Sequence, residues 1–334
     1  VDRQQRNSAT LSVLAFFALA YCISWSTWLV SPALSRGDMD LQRMIDIGGA
    51  FGPSLAALIL NARRNRSGHI PTALLCPAAF AVSFAGILPL GLLALRPVFA
   101  AVPSAGVIAA VGVNAALAAV LVSSAVAARR RHPTAWPATL VSWRHGIGWY
   151  AIALLLFPGA IILGGLVDRA LAGQALLVPA AELLGGVRTW SFIALVFVFY
   201  GGALNEEPGW RGYAMPRLLA RYTPLVSTVI LGAVWALWHA PLHYNGFYAG
   251  GAAALAGRLL YTIPLTGYFT WLYLRTGGNI LMAVLLHASV NSSLGAAALT
   301  ARAALFANVI LVAVLLLMLA DPVWRRRPTT AGLR

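Results

Sequence analysis

Two adjacent carboxylates, Glu206 and Glu207, stand at the end of a long apolar run, and Arg211 follows four positions after the second. Only 9 acidic residues occur among the 334 of the chain, and an ionisable group placed where lipid is expected marks a functional site. On a helix Glu207 and Arg211 share a face and can pair, which turns Glu206 by about 100° toward a different neighbour. Pro208 lacks a backbone N–H, so the carbonyl of Leu204 is freed and the helix is expected to kink at the carboxylates. Such breaks are tolerated at membrane depth where they line a cavity or are packed in protein. The plainer alternative is a helix end, with both glutamates in the headgroup region and Arg211 as an ordinary flanking charge.

A second polar cluster lies in Trp235-Ala236-Leu237-Trp238-His239-Ala240-Pro241-Leu242-His243. His239 and His243 are one turn apart, a spacing that also suits two metal ligands, although Pro241 between them can break the shared face. A third cluster, His287-Ala288-Ser289-Val290-Asn291, again sets two polar side chains one turn apart, offering two hydrogen-bond donors to one point. Polar glue between helices is the structural alternative there. Carboxylates and imidazoles converging in a dry bundle make a water-activating centre. Hydrolysis of a carbonyl compound follows, with His287 and Asn291 as fixed donors to the oxyanion.

The elements that must position these groups are membrane helices. With 60% hydrophobic and 10% charged residues, and apolar stretches near twenty residues recurring throughout, the chain is expected to be all-α, a polytopic bundle of about ten spans. The expected spans are Thr10–Val30, Ile45–Leu60, Ala73–Leu95, Ser104–Ala127 and Gly146–Val167, then Thr189–Leu204, Pro224–His243, Leu259–Leu274, Asn279–Leu294 and Ala303–Ala320. The first lacks a small-residue cleavage site and reads as a retained helix. Short hydrophilic connections, without linker or repeat, predict one membrane domain over 1–334, with the chemistry carried by helices in 190–295.

The net charge of +15 does not imply nucleic acid, because the basic residues fall in loops between apolar spans. All 24 are arginine, and the ten-span order places seventeen on one side and seven on the other, which predicts that both termini are cytoplasmic. Cys22 and Cys76 are far apart and lack ligand spacing, so they read as core residues. One tension is internal to this arrangement. At 1.5 Å per residue Glu206 would lie ~6 Å from the inner boundary, His287 ~12 Å and His239 ~21 Å, whereas a shared site needs them level. Shifting the start of the seventh span inward past Pro224, or running the sixth helix beyond Pro208, would close most of that gap, with a cavity opening to the cytoplasm.

These residues resemble the CAAX-protease and bacteriocin-processing family (CPBP, or Abi) of intramembrane proteases, related to the eukaryotic endopeptidase that trims prenylated CAAX proteins. Its Glu-Glu-x-x-x-Arg, Phe-x-x-x-His and His-x-x-x-Asn motifs correspond to Glu206-Glu207 with Arg211, to His239, and to His287 with Asn291. Glu206 to Tyr213 and Arg275-Thr276-Gly277-Gly278-Asn279 match bacterial members, and the resemblance runs from about Leu195 to Leu294, with weaker similarity at Gly52-Pro53 and Trp143-Arg144. Trp235 departs from the pattern, standing where the family has phenylalanine. The resemblance implies Glu206 as the residue that activates water, His239 as its partner, His287 and Asn291 as the oxyanion site, and Glu207 and Arg211 as supporting residues. It also implies a membrane-associated protein or peptide substrate in the lipid bilayer of a bacterial-type cell membrane.

Zinc held by Glu206, His239 and His287 is compatible with the residue types, since a glutamate and two histidines leave a water position open. No His-Glu-x-x-His motif is present, and a glutamate-activated water without metal is the preferred expectation. The competing function class is a non-catalytic membrane protein, either a bacteriocin immunity factor or a proton-coupled transporter, for which buried Glu, Arg and His would form a relay. The lack of a repeat relating two halves of the chain weighs against transport.

Overall fold

A computed structural model describes residues 3–64, 76–95, 103–132, 135–174, 180–296 and 300–325. It is helical throughout, with no strand among the described residues. The helices are α1 (Arg3–Ser35), α2 (Met39–Gly49), α3 (Gly52–Arg64), α4 (Pro77–Leu95), α5 (Ala105–Arg131), α6 (Trp136–Thr139) and α7 (Ile147–Leu171). They continue as α8 (Ala180–Tyr200), α9 (Ala203–Glu207), α10 (Met215–Leu219), α11 (Pro224–Trp238), α12 (Gly251–Arg275), α13 (Ile280–Ala296) and α14 (Ala301–Leu319). A π-helical turn over Pro208–Ala214 joins α9 to α10, and a 3-10 turn over Ala240–His243 follows α11.

Seven helical stretches among the described residues are long and apolar enough to cross a bilayer: Leu11–Ser35, Met39–Ala62, Pro77–Ala94, Ala105–Arg131, Ile147–Leu171, Gly185–Leu219 and Ala301–Leu319. Pro224–Trp238 and Ile280–Ser293 are apolar but shorter. The protein is thus a multi-pass membrane helix bundle. The opening residues of the third expected span, 73–75, and arginines 66, 96, 326, 327 and 334 lie outside the described residues.

Two expected boundaries are corrected, and both corrections fall at prolines. The sixth helical run does not stop at Leu204 but continues to Leu219. Pro208 cannot donate to the i−4 carbonyl, and the chain widens into a π-helix instead of ending. The freed Leu204 carbonyl is taken up by Ser54 Oγ of α3 at 3.2 Å. Gly209 permits this approach, since a Cβ there would lie 2.5 Å from the backbone of Pro53. The run beyond Glu206 to Leu219 is about 20 Å long, close to the length of α11, so Glu206 and His239 come level. The seventh helix ends at Trp238 and not at His243, because Pro241 disfavours α geometry in the residue before it and supplies no N–H.

Two apolar clusters flank the site. One gathers Trp210, Tyr213, Trp235, Trp238, Phe269 and Leu286; the other gathers Tyr200, Ala203, Leu204, Ile280, Val284 and Ala288. The turn carrying Glu206 and Glu207 sits where the first set of residues gives way to the second, and α13 faces both clusters with His287 between them.

Candidate active site

Glu206 and Glu207 follow a helix break. Helix α8 stops at Tyr200, and Gly202 takes φ +100°, a left-handed conformation that L side chains avoid. The same glycine leaves room for the site: a Cβ at 202 would lie 2.6 Å from Glu206 Oε1 and 3.2 Å from His287 Nε2. One carboxylate oxygen and one ring nitrogen, from different helices, therefore face a single point beside a bare backbone.

The two carboxylates are held differently. Glu207 is completely buried, accepts from Arg211 Nη1 at 3.0 Å through Oε1, and is bonded by the same oxygen to His287 Nδ1 at 2.7 Å. Arg211 is also completely buried, its guanidinium carbon 4.4 Å from the Trp235 ring centre and 4.0 Å from that of Phe269. Glu206 is 5% exposed and forms no ion pair among the described residues: its Oε2 accepts from two indoles, Trp235 Nε1 at 2.6 Å and Trp210 Nε1 at 3.2 Å. That leaves Oε1 turned toward Gly202.

His239 caps the end of α11, with Nδ1 2.8 Å from the Trp235 carbonyl oxygen. A carbonyl can only accept, so Nδ1 carries the hydrogen and the neutral ring keeps its lone pair on Nε2. Helix α1 holds this end of α11: Tyr21 Oη donates to the Val234 carbonyl at 2.6 Å and Trp25 Nε1 to that of Trp238 at 2.9 Å. The loop beyond is tied down by Asn245 Nδ2, which donates to Asp46 Oδ2 at 3.1 Å and to the Trp28 carbonyl at 3.2 Å. Trp235 lies between the imidazoles, its ring centre 6.3 Å from His239 and 5.5 Å from His287.

Asn291 Nδ2 donates to the Gly201 carbonyl at 2.7 Å, closing the end of α8 and keeping its second hydrogen. His287 and Asn291 thus both turn toward the Gly201-Gly202 break. Helix α13 is registered against the preceding polar segment by Asn279 Nδ2, which donates to the Ser142 carbonyl at 3.0 Å.

His243 does not share a target with His239. Its Nε2 accepts from Arg258 Nε at 3.1 Å, and its ring lies 5.1 Å from that of Tyr248. Pro241 has separated the two rings as its position suggested. Among the described residues no group of three or more His, Cys, Asp or Glu side chains converges to hold a metal ion.

Reading the sequence missed four contributors: Trp210, Trp235, Gly202 and Tyr248. Tyr248, in the loop after His243, stacks under Arg258 at 4.3 Å and lies 6.2 Å from His239. Burial raises its phenol above the usual tyrosine range, opposed by Arg258 and reinforced by Glu206. The two indoles were in view as motif neighbours, but their N–H direction depends on packing between separate helices.

Residues 188–293 match the family model described as type II CAAX prenyl endopeptidase Rce1-like. A curated protein named CAAX prenyl protease 2, from Methanococcus maripaludis, is 28% identical over 148 residues, which cover 42% of this chain and 53% of that protein. The chain therefore spans about half the length of the curated relative it matches. The matched segment contains Glu206, Glu207, Arg211, His239, His287 and Asn291, so the part of this chain that carries the polar clusters is similar to the type II CAAX prenyl endopeptidases.

Proposed function

We propose that the chain is an intramembrane endopeptidase that hydrolyses a peptide bond of a membrane-associated protein or peptide. Glu206 Oε1 takes a proton from a water seated beside Gly202, and His239 Nε2 accepts a hydrogen bond that orients the same water. The hydroxide adds to the scissile carbonyl carbon. In the reacting complex His287 carries a hydrogen on both ring nitrogens, giving Nδ1–H to Glu207; its Nε2–H and the second amide hydrogen of Asn291 are the donors to the oxyanion, and the proton held by Glu206 passes to the leaving amine as the C–N bond breaks. Glu207 and Arg211 fix the His287 ring, and the reaction needs no metal. The bundle in this reading has ten spans, with both termini on the arginine-rich cytoplasmic side of the cell membrane.

The observation that carries the proposal is the convergence of Glu206 Oε1 and His287 Nε2 on the space left by the missing Cβ of residue 202. The test is Glu206→Gln. Membrane fractions of cells making the wild-type and variant chains are compared for peptide products by mass spectrometry, alongside cleavage of a farnesylated, internally quenched peptide ending in a CAAX sequence. Loss of about 10³-fold or more with unchanged membrane insertion is expected, and 1,10-phenanthroline should leave the wild-type rate unaltered. A variant that cleaves as fast as the wild type ends the proposal.

A further inference from the structure

Trp235 stands where the family pattern has phenylalanine, a ring with no hydrogen-bond donor. Here the indole N–H lies 2.6 Å from Glu206 Oε2, shorter than the 3.2 Å bond from Trp210 to the same oxygen. The face of the same ring carries the Arg211 guanidinium at 4.4 Å, and its edge meets His287 at 5.5 Å. We propose that Trp235 is a positioning residue of this chain, whose N–H anchors one oxygen of Glu206 so that only the other faces the reacting water. The proposal rests on the endopeptidase reading and extends it.

Three features of the geometry support the assignment. First, a carboxylate on a helix next to a π-turn has freedom about its terminal torsion, and two donors on one oxygen remove that freedom. Second, the carboxylate would otherwise be drawn to a cation. Arg211 sits on the Trp235 face and gives its Nη1–H to Glu207, while the N–H of the same indole goes to Glu206. Third, the titratable groups acting on Glu206 include Glu207, Arg211, His287 and Tyr248, and Trp235 touches two of them, Arg211 and His287. A phenylalanine would keep the stacking on Arg211 and the edge contacts, and would lose the anchor.

The decisive variant is therefore Trp235→Phe, which the packing should accept because the family places phenylalanine at this position. With the farnesylated CAAX peptide as probe, kcat is expected to fall roughly ten- to a hundredfold while KM changes less than about twofold, because the anchored carboxylate acts in the chemical step and not in substrate binding. Incorporating 3-benzothienylalanine at 235, which keeps the indole shape and replaces N–H by sulfur, should reproduce that loss. Trp210→Phe should cost less, in line with its longer bond. Unchanged kcat in both position-235 variants, with Glu206→Gln inactive, overturns the positioning role and leaves the endopeptidase reading standing.

A second measurement does not depend on activity. In indole ¹H–¹⁵N spectra of the protein in nanodiscs, the signal absent from Trp235→Phe belongs to the Nε1–H of residue 235. It should move upfield in Glu206→Ala. A signal that stays in place shows that the bond is absent, whatever the enzyme cleaves; a signal that moves in a chain that cleaves nothing upholds the bond and refutes the endopeptidase reading.

Discussion

Replacing Arg211 by methionine removes the guanidinium bonded to Glu207 while preserving an unbranched, apolar side chain between Trp235 and Phe269. Both charges are completely buried, with Nη1 and Oε1 3.0 Å apart. Unit charges about 4 Å apart attract by about 4 kcal/mol at an effective dielectric constant near 20, and breaking a buried pair by removing one partner costs about 3–5 kcal/mol. The two estimates agree because most of the loss is the uncompensated Glu207, which retains only His287 Nδ1 at 2.7 Å. Arg211→Met should therefore reduce the folding equilibrium by about two to nearly four orders of magnitude. The assay is unfolding by sodium dodecyl sulfate in mixed micelles, followed by tryptophan emission. Glu207→Gln in the same chain is the informative second change: an amide oxygen still accepts from His287, and no charge remains to be desolvated. The double variant should recover most of the lost stability. The reasoning is refuted if Arg211→Met unfolds at the wild-type detergent fraction, or if adding Glu207→Gln leaves it as unstable as before.

Gly202→Ala introduces a Cβ 2.6 Å from Glu206 Oε1 and forces an L residue to φ +100°. It should cost about 1–3 kcal/mol of stability and lower the cleavage rate by at least about a hundredfold, read by folded yield and peptide turnover together. Asp38 caps α2 from the loop between the first two spans, accepting from the Leu41 N–H at 2.9 Å. That bond holds its carboxyl below the usual range against desolvation, with Ser104 and the Asp40 N–H adding to it. A depressed folded-state value means the stabilisation is complete above the unfolded value near ~3.9 and is lost as pH falls through the folded one. Asp38→Ala should cost about 1 kcal/mol at neutral pH, and the gap from wild type should close in acid, as followed by the unfolding midpoint against pH.

The helical class and the burial of charged side chains within it were legible in the sequence because each rests on short-range facts. A twenty-residue apolar run must satisfy its own backbone hydrogen bonds, and a charge inside it is costly enough to be conspicuous. The pairing of Glu207 with Arg211 follows from helical spacing alone, and the structure forms it at 3.0 Å. The freed Leu204 carbonyl follows from Pro208 in the same way. Where the sixth helix ended did not, since proline permits either a break or a π-turn, and the choice was made by Ser54 and Pro53 arriving from α3.

What distinguishes the two glutamates belongs to the tertiary structure. Adjacent in sequence and identical in chemistry, they are turned about 100° apart by helical geometry, and only packing against different helices gives one an arginine and an imidazole and the other two indoles. The chain by itself determined that charges would be buried in lipid-spanning helices and which side chains would bear them. Three-dimensional packing decided which oxygen faces Gly202, because hydrogen-bond direction is set by distances between helices that sequence spacing does not encode.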